Sequence, residues 1–167
     1  MDRMIMRRVE ANDPSAIREM GTRYEKRGDF VGAFGWYSRA AKLGCITAHY
    51  DLGVLHKSGQ GADRDEKKEL HHLAEAAIGG HPDARYDLGV KEWNKRYHRT
   101  AVKHYIIAAK HGHNEAIKRL KEIYSKMGDS FLISKEDFAS ALRGHQAAVN
   151  ESNSSAREVF RSFPYNE

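Results

Sequence analysis

The sequence is short of the residues that mark a disulfide-bonded domain or a membrane protein. Among its 167 residues are three prolines and one cysteine, Cys45. A single cysteine cannot form an intrachain disulfide, and it favours a reducing compartment. No apolar run approaches the ~18–20 residues that a membrane-spanning helix requires, and the first ten residues are too charged for a secretory signal. These absences predict a soluble, cytoplasmic protein whose helices are not interrupted by proline.

Signatures of catalysis are also missing. The sequence has no glycine-rich phosphate-binding loop and no Gly-x-Ser-x-Gly nucleophile elbow. Cys45 follows a predicted helix C-terminus, where the helix dipole disfavours a thiolate. Ten histidines suggest zinc, but neighbouring histidines point in different directions and no Cys-x-x-Cys pair supports them. We therefore predict a non-enzymatic protein without cofactor or metal.

The charge balance is mildly basic. The chain has 28 Lys and Arg against 23 Asp and Glu, which gives a net charge of +5 and a pI near 9.3. Basic clusters at Arg7-Arg8, Lys67-Lys68, Lys95-Arg96 and Lys118-Arg119 could meet phosphates of a nucleic acid. Acidic residues interleave with basic ones along the chain, which is typical of a solvated helix surface. A nucleic acid is therefore the alternative to a protein partner, and the less favoured one.

What the sequence does contain is an internal repeat. The first copy is Ala48-His49-Tyr50-Asp51-Leu52-Gly53, and the second, 36 residues later, is Ala84-Arg85-Tyr86-Asp87-Leu88-Gly89. A shift of 32 residues in the other direction carries Gly53 onto Gly21. Periods of this length are typical of stacked helix pairs, in which no single unit can bury its apolar face alone.

Capping signals divide the repeats into helices. Asp13-Pro14 predicts a helix start with Asp as N-cap and Pro at the first position, and Gly44 predicts a left-handed C-cap. The turn of the second repeat, 57–64, is longer, and Asp65 is placed to cap the helix that follows it. Ser134-x-x-Asp137 resembles a capping box.

The chain is thereby divided into three parts. Residues 1–12 are a leading segment or short helix, and residues 13–149 are the repeat array, closed by a capping helix at about 134–149. Residues 150–167 are predicted to be a polar, mostly flexible tail.

These motifs resemble the Sel-one-like repeats, relatives of the tetratricopeptide repeats with a variable first loop. The shared pattern is Ala-x-x-x-Leu-Gly, a Gly-containing turn, an Asp and then x-x-Ala-Ala-x-x-Gly, over about residues 13–128. The segment 58–65 is its most specific part, and Lys121 replaces the repeat glycine in the fourth unit. The resemblance implies an all-α, right-handed α-solenoid of antiparallel helix pairs that serves as a scaffold or adaptor for protein–protein contacts.

The sequence also looks like an algal branch of this family, members of which often carry a zinc-binding, RING-like segment upstream. The cysteines of such a segment are absent here, so a ubiquitin-ligase role does not carry over to this chain by itself. A place as the adaptor part of a ubiquitin-ligase or quality-control assembly is a further alternative.

The resemblance also implies where a partner binds. In tetratricopeptide-type arrays the first helix of each pair lines the concave surface, and steps of three and four residues stay on one helix face. We expect aromatic residues on this face to anchor a peptide or helix of another protein and cations to steer an acidic segment; packing of the aromatics within the core is the alternative. The predicted residues are Arg18, Tyr50, Val54, Lys57, Tyr86, Val90, Trp93 and Lys118.

Overall fold

The chain is all-helical over the residues that the computed structural model describes, which are 3–128 and 131–162, with side chains described up to residue 155. No β-strand occurs within these ranges. The all-α class predicted from the repeat is therefore confirmed. The helices are α1 (Arg3–Glu10), α2 (Pro14–Lys26), α3 (Phe30–Lys42), α4 (Ile46–Ser58), α5 (Glu66–Ile78), α6 (Pro82–Asn94), α7 (His98–Lys110), α8 (Asn114–Met127) and α9 (Lys135–Ser162).

The chain divides into two compact units, Met1–Ala84 and Arg85–Glu167. In the first unit α1 packs on α2, α2 on α3, α3 on α4 and α4 on α5. In the second unit α8 and α9 both pack on α7, and they also pack on each other. Helices that are neighbours in sequence are mostly neighbours in space, as short connections between helices require.

Two helix starts are capped by the side chains predicted from the sequence. Asp13 Oδ1 accepts hydrogen bonds from the backbone N–H groups of Ser15 (2.9 Å) and Ala16 (3.3 Å). Ser134 Oγ accepts one from the N–H of Asp137 at 3.1 Å and donates to Asp137 Oδ2 at 2.8 Å, so Ser134 caps α9 as its motif predicted. These bonds satisfy N–H groups that have no partner within the helix.

The helix ends follow the sequence less closely. Gly44 has φ +84°, in the left-handed region predicted for it. The prediction that the last helix ends near residue 149 is wrong, because α9 continues to Ser162. Residues 150–155 are polar and exposed, but they contain neither Gly nor Pro to stop a helix. The rest of the predicted tail, residues 163–167, lies outside the described part of the chain.

Each unit has its own core. Among the described residues, Tyr37 is the largest fully buried side chain of the first unit and Tyr105 that of the second. The buried residues of α7 are Ala101, Val102, Tyr105, Ala108 and Ala109.

Two glycines let these tyrosine rings lie against the backbone of the facing helix. A Cβ atom added at Gly21 would lie 2.5 Å from Tyr37 Cδ1, and one added at Gly89 would lie 2.7 Å from Tyr105 Cε1. Both distances are too short for carbon atoms in contact, so α2–α3 and α6–α7 could not approach so closely with any larger residue. At Gly53 the facing residue is Leu73, whose Cγ would lie at 3.3 Å, and the constraint there is weaker.

We expect the substitutions Gly21→Ala and Gly89→Ala to lower the free energy of unfolding by about 1–3 kcal/mol, because the added methyl group overpacks a filled site. Gly35→Ala is the matched control, since Gly35 is exposed in the middle of α3 with open space around its Cα. It should stabilise the protein by roughly 0.5–1 kcal/mol through helix propensity alone. Urea denaturation followed by circular dichroism measures all three; equal effects at the three positions would contradict the close-approach explanation.

Candidate protein-interaction site

On the first unit, α2 and α4 carry the predicted residues of the first two repeats. Arg18 of α2 donates to Asp51 of α4 through Nε (2.6 Å to Oδ2) and Nη2 (3.3 Å to Oδ1). The hydrogen bond to Asp51 raises the pKa of Arg18, and burial raises the pKa of Asp51 against the opposing effect of the guanidinium. The charge of Arg18 is thus already engaged within the protein, where it ties two first helices together.

The neighbouring positions on α2 are also used internally. The hydroxyl of Tyr37 donates to Glu25 Oε2 at 2.6 Å and lies 3.3 Å from Thr22 Oγ1. Burial, together with the bond to Glu25, raises the pKa of Tyr37. This face of α2 therefore supports the buried tyrosine that the glycine at position 21 admits.

On α4 the predicted residues differ in their accessibility. The ring of Tyr50 stacks on His81, with centroids 4.5 Å apart and an interplanar angle of 17°, and Tyr50 is half-buried. Val54 is 36% exposed and Lys57 is exposed. The aliphatic and cationic positions of α4 are thus open to a partner, while the tyrosine presents only part of its ring.

On the second unit, α6 carries three predicted residues, all half-buried. Tyr86 stacks on His113 at 4.5 Å and 18° and also contacts Tyr105. Trp93 contacts His98 at 4.3 Å and Tyr105 at 6.4 Å between centroids. Each ring therefore packs on other rings of its unit and keeps part of its surface in solvent.

A pocket of about 190 Å³ lies beside Trp93 and joins α6 to α8. The guanidinium carbon of Arg119 lies 5.9 Å from the centroid of the indole ring. The structure thus brings Trp93 of α6 together with Glu122 of α8. The predicted contact residue Lys118, also on α8, is exposed and pairs with Glu115. The lining residues are Trp93, Arg119, Glu122, Ile123, Lys126 and Met127.

Sequence reasoning missed the part played by His81 and His113. Each follows a glycine and precedes a first helix, and each stacks on the tyrosine of the preceding first helix. His113 Nδ1 also accepts a hydrogen bond from Ala116 N–H at 3.0 Å, and His81 Nδ1 accepts one from Ala84 N–H at 3.4 Å. The recurring Gly-His before a first helix was the signal that could have revealed this arrangement.

Substitution can separate the two contributions of His113, which are the capping hydrogen bond at the start of α8 and the ring stacking on Tyr86. His113→Ala removes both, and we expect it to cost roughly 1–3 kcal/mol from the lost N-cap and the lost ring contact. His113→Asn keeps an acceptor for the first-turn N–H groups and should recover about 1 kcal/mol of this loss. Urea unfolding of both variants measures the difference. If Asn and Ala destabilise equally, the capping bond contributes nothing.

Four histidines gather where α4 meets α5. His49 Nδ1 lies 3.1 Å from His72 Nδ1, His56 stacks on His72 with an interplanar angle of 7°, and His71 also contacts its ring. Burial, and then the neighbouring His49, His71, His56 and Lys68, lowers the pKa of His72 from 6.5 to about 4. Among the described residues, no group of three or more His, Cys, Asp or Glu side chains is arranged to hold a metal ion.

The lowered pKa of His72 makes the stability of the protein depend on pH. The folded state holds this imidazole neutral, so the unfolded state binds the proton more readily between pH 6.5 and 4. Stability should therefore be highest above pH 6.5, fall as the pH drops towards 4, and stop falling from this cause below 4. His72→Phe should flatten the decline in urea-unfolding series at several pH values, whereas the exposed His111→Gln should not. An unchanged pH slope in His72→Phe would contradict this origin.

Most of the basic clusters that suggested a nucleic acid are paired with carboxylates of their own neighbourhood. Such exposed pairs contribute little stability, but they reduce the positive charge that a phosphate would meet. The pairs are Arg8 with Asp13 (2.8 Å), Lys68 with Asp65 (3.6 Å), Lys118 with Glu115 (2.6 Å) and Arg119 with Glu122 (3.2 Å).

A transmembrane crossing has no candidate here: none of the helices in the described part combines the necessary length and apolar character. Cys45 is half-buried and not in a disulfide.

Comparison with known proteins agrees with this architecture. The profile of the Sel1 repeat matches residues 14–45, 46–81 and 82–113, which correspond to the pairs α2–α3, α4–α5 and α6–α7. The chain superposes on the crystal structure of a Sel1 repeat protein from Oxalobacter formigenes with a TM-score of 0.68 and 22% sequence identity. The superposition includes 81% of this chain and 59% of the Oxalobacter protein. A protective antigen of uropathogenic Escherichia coli with an SLR fold gives a TM-score of 0.65 at 19% identity, covering 98% of this chain and 35% of its own.

Among characterised proteins, the chain is similar to the mouse protein DAP3-binding cell death enhancer 1 (Mus musculus), with 26% identity over 184 residues. The alignment covers 86% of this chain but 35% of the mouse protein, so the chain spans about a third of the length of this relative. The three tandem matches to the repeat profile occupy more than half of the sequence. The chain belongs to the Sel1 repeat family.

Proposed function

We propose that this protein is a non-catalytic adaptor that binds a peptide or helix of another protein on the face formed by the first helices of its repeats. Sel1 repeats generally mediate protein–protein interactions, and the similar mouse protein is named for binding another protein, DAP3. The observation that carries the proposal is the Trp93 pocket. In this pocket a partly accessible aromatic ring on α6 lies beside charged and apolar side chains on α8, which are the first helices of two successive repeats within the second unit.

The second unit offers the stronger anchor. A partially exposed tryptophan beside a guanidinium is the kind of surface on which binding energy concentrates at protein interfaces. Met127 is 51% exposed at the edge of the pocket, and a flexible thioether adapts to different apolar side chains. Lys126 and Glu122 add charges of both signs, which would orient a polar peptide.

The first unit would contribute contacts of a different kind. Val54 and Lys57 are exposed on α4, so they are open to an aliphatic side chain and a carboxylate. Arg18, by contrast, would act indirectly, because its pair with Asp51 fixes α2 against α4. Three further predicted residues are half-buried and would contact a partner through the exposed part of their side chains: Tyr50, Tyr86 and Val90. We also propose that the protein acts in the cytoplasm.

Site-specific photocrosslinking tests which face a partner uses. A photoreactive amino acid is placed at the first-helix positions Val54, Lys57 and Met127 in the native cell, and the crosslinked proteins are identified by mass spectrometry. Val31 (73% exposed) and Ile78 (77% exposed) on the second helices α3 and α5 are the controls. We expect one partner to be captured from the first-helix positions and not from the controls.

The partner so identified is then titrated against Trp93→Leu. Loss of a central aromatic contact should weaken binding at least about tenfold, with thermal melting confirming that the variant is folded. Capture from Val31 and Ile78 alone, or unchanged affinity in folded Trp93→Leu, would refute the proposed face. Salt-sensitive retention of short RNA by the wild-type protein would instead favour the nucleic-acid alternative.

A further inference from the structure

The segment between α6 and α8 departs from the charge alternation of the rest of the chain. From Lys95 to Asn114 the sequence contains no Asp or Glu, while it contains Lys95, Arg96, Arg99, Lys103 and Lys110. The turn at its start is tight, with Arg96 at φ +65°. The second unit therefore presents a locally positive surface at the α6–α7 turn that its own helices do not neutralise with acidic residues.

A pocket of about 260 Å³ lies at this turn. Phe131, 78% exposed, and Tyr97, 61% exposed, are among its lining residues. The guanidinium carbon of Arg99 lies 4.9 Å from the centroid of the Phe131 ring, which holds the cation beside the aromatic surface. The pocket thus combines exposed apolar surface with positive charge, and it contains none of the residues predicted for the first-helix face. Its lining is Arg96, Tyr97, His98, Arg99, Thr100, Phe131 and Leu132.

The cations at this pocket differ from the other basic clusters of the chain. Within the part of the chain that the structure describes, neither Arg96 nor Arg99 forms an ion pair with a carboxylate, whereas Arg119 and Lys118 on the neighbouring α8 are both paired. An arginine fork without a carboxylate partner is free to bind one in two-point geometry. Two exposed aromatic rings, Tyr97 and Phe131, line the same pocket as these cations.

We propose that this pocket is a second docking site, which binds an acidic peptide segment carrying an aromatic side chain. The aromatic side chain would enter beside Phe131, Tyr97 and Leu132, and the flanking carboxylates would meet Arg96 and Arg99. The volume of about 260 Å³ accommodates one large side chain. Charge complementarity selects the acidic flanks, since the segment 95–114, which supplies five of the seven lining residues, contains no Asp or Glu.

A peptide fits this site better than a nucleic acid does. Nucleic-acid binding requires a track of unpaired cations that follows the phosphate backbone over several nucleotides. Here the unpaired arginines surround one pocket, and on the adjacent helix the cations Lys118 and Arg119 are engaged by Glu115 and Glu122. Two arginines beside exposed aromatic rings match a short acidic motif with an aromatic side chain.

Fluorescence anisotropy with defined probes tests the proposal. The first probe is a labelled peptide with one phenylalanine between two groups of four acidic residues. The comparison probes replace the phenylalanine with serine, replace the acidic residues with glutamine, or consist of single-stranded oligouridine. We expect the first probe to bind most tightly, and either replacement in the peptide to weaken binding at least about fivefold.

Matched variants locate the site. Phe131→Ser changes an exposed side chain and should leave the fold intact, and Arg96→Asn with Arg99→Gln removes both cations while Asn tolerates the positive φ of position 96. Both variants should bind the first probe at least about fivefold more weakly. Lys42→Gln with Lys67→Gln removes two exposed charges from the first unit and should have no such effect.

Three results would overturn the inference. One is equal binding of all peptides, which would indicate nonspecific attraction. Another is unchanged affinity in both pocket variants, with their folding confirmed by circular dichroism. The third is oligouridine binding more tightly than the acidic peptide and losing affinity in the same variants, which would assign the pocket to nucleic acid. These variants change no residue of the first-helix face. Binding of the partner captured on that face therefore tests the proposed function separately from this second site.

Discussion

The structure depends on how closely the two helices of a repeat approach each other. A side chain as large as tyrosine can be buried between them only if the opposite backbone offers no Cβ, and Gly21 and Gly89 supply that space for Tyr37 and Tyr105. The close approach fixes the spacing of the two helices in each of these pairs. In the second repeat Leu73 replaces the tyrosine and Gly53 is less tightly enclosed, so the repeats are not equally constrained.

A different contact holds the end of each repeat. The stacked pairs Tyr50–His81 and Tyr86–His113 each join the first helix of a repeat to the histidine at the end of the same repeat, just before the next first helix. The same histidines accept backbone hydrogen bonds at those helix starts. The two tyrosines proposed to meet a partner therefore also pack within their own repeats, so a substitution at either one is expected to change stability as well.

The sequence was sufficient for the helices, their caps and the glycine positions, because these depend on neighbours within one or two turns. Asp13, Gly44 and Ser134 act as their local motifs predicted. It was not sufficient for the pair Arg18–Asp51 or the contact between His49 and His72, whose members are 33 and 23 residues apart and meet only through tertiary packing. The length of α9 also escaped prediction, since an exposed polar helix has neither an apolar stripe nor a breaker to mark its end. Whether the predicted face binds a partner depends on a second molecule.

The two stacked tyrosine–histidine pairs differ in the number of residues between their members, because the turn of the second repeat is four residues longer. The ring stacking is nevertheless nearly identical, at 4.5 Å and 17–18° in both. The four extra residues of that turn are therefore accommodated without changing the stacking at the end of the repeat. The turn can differ in length between repeats while the ring contact that closes each of them keeps the same geometry.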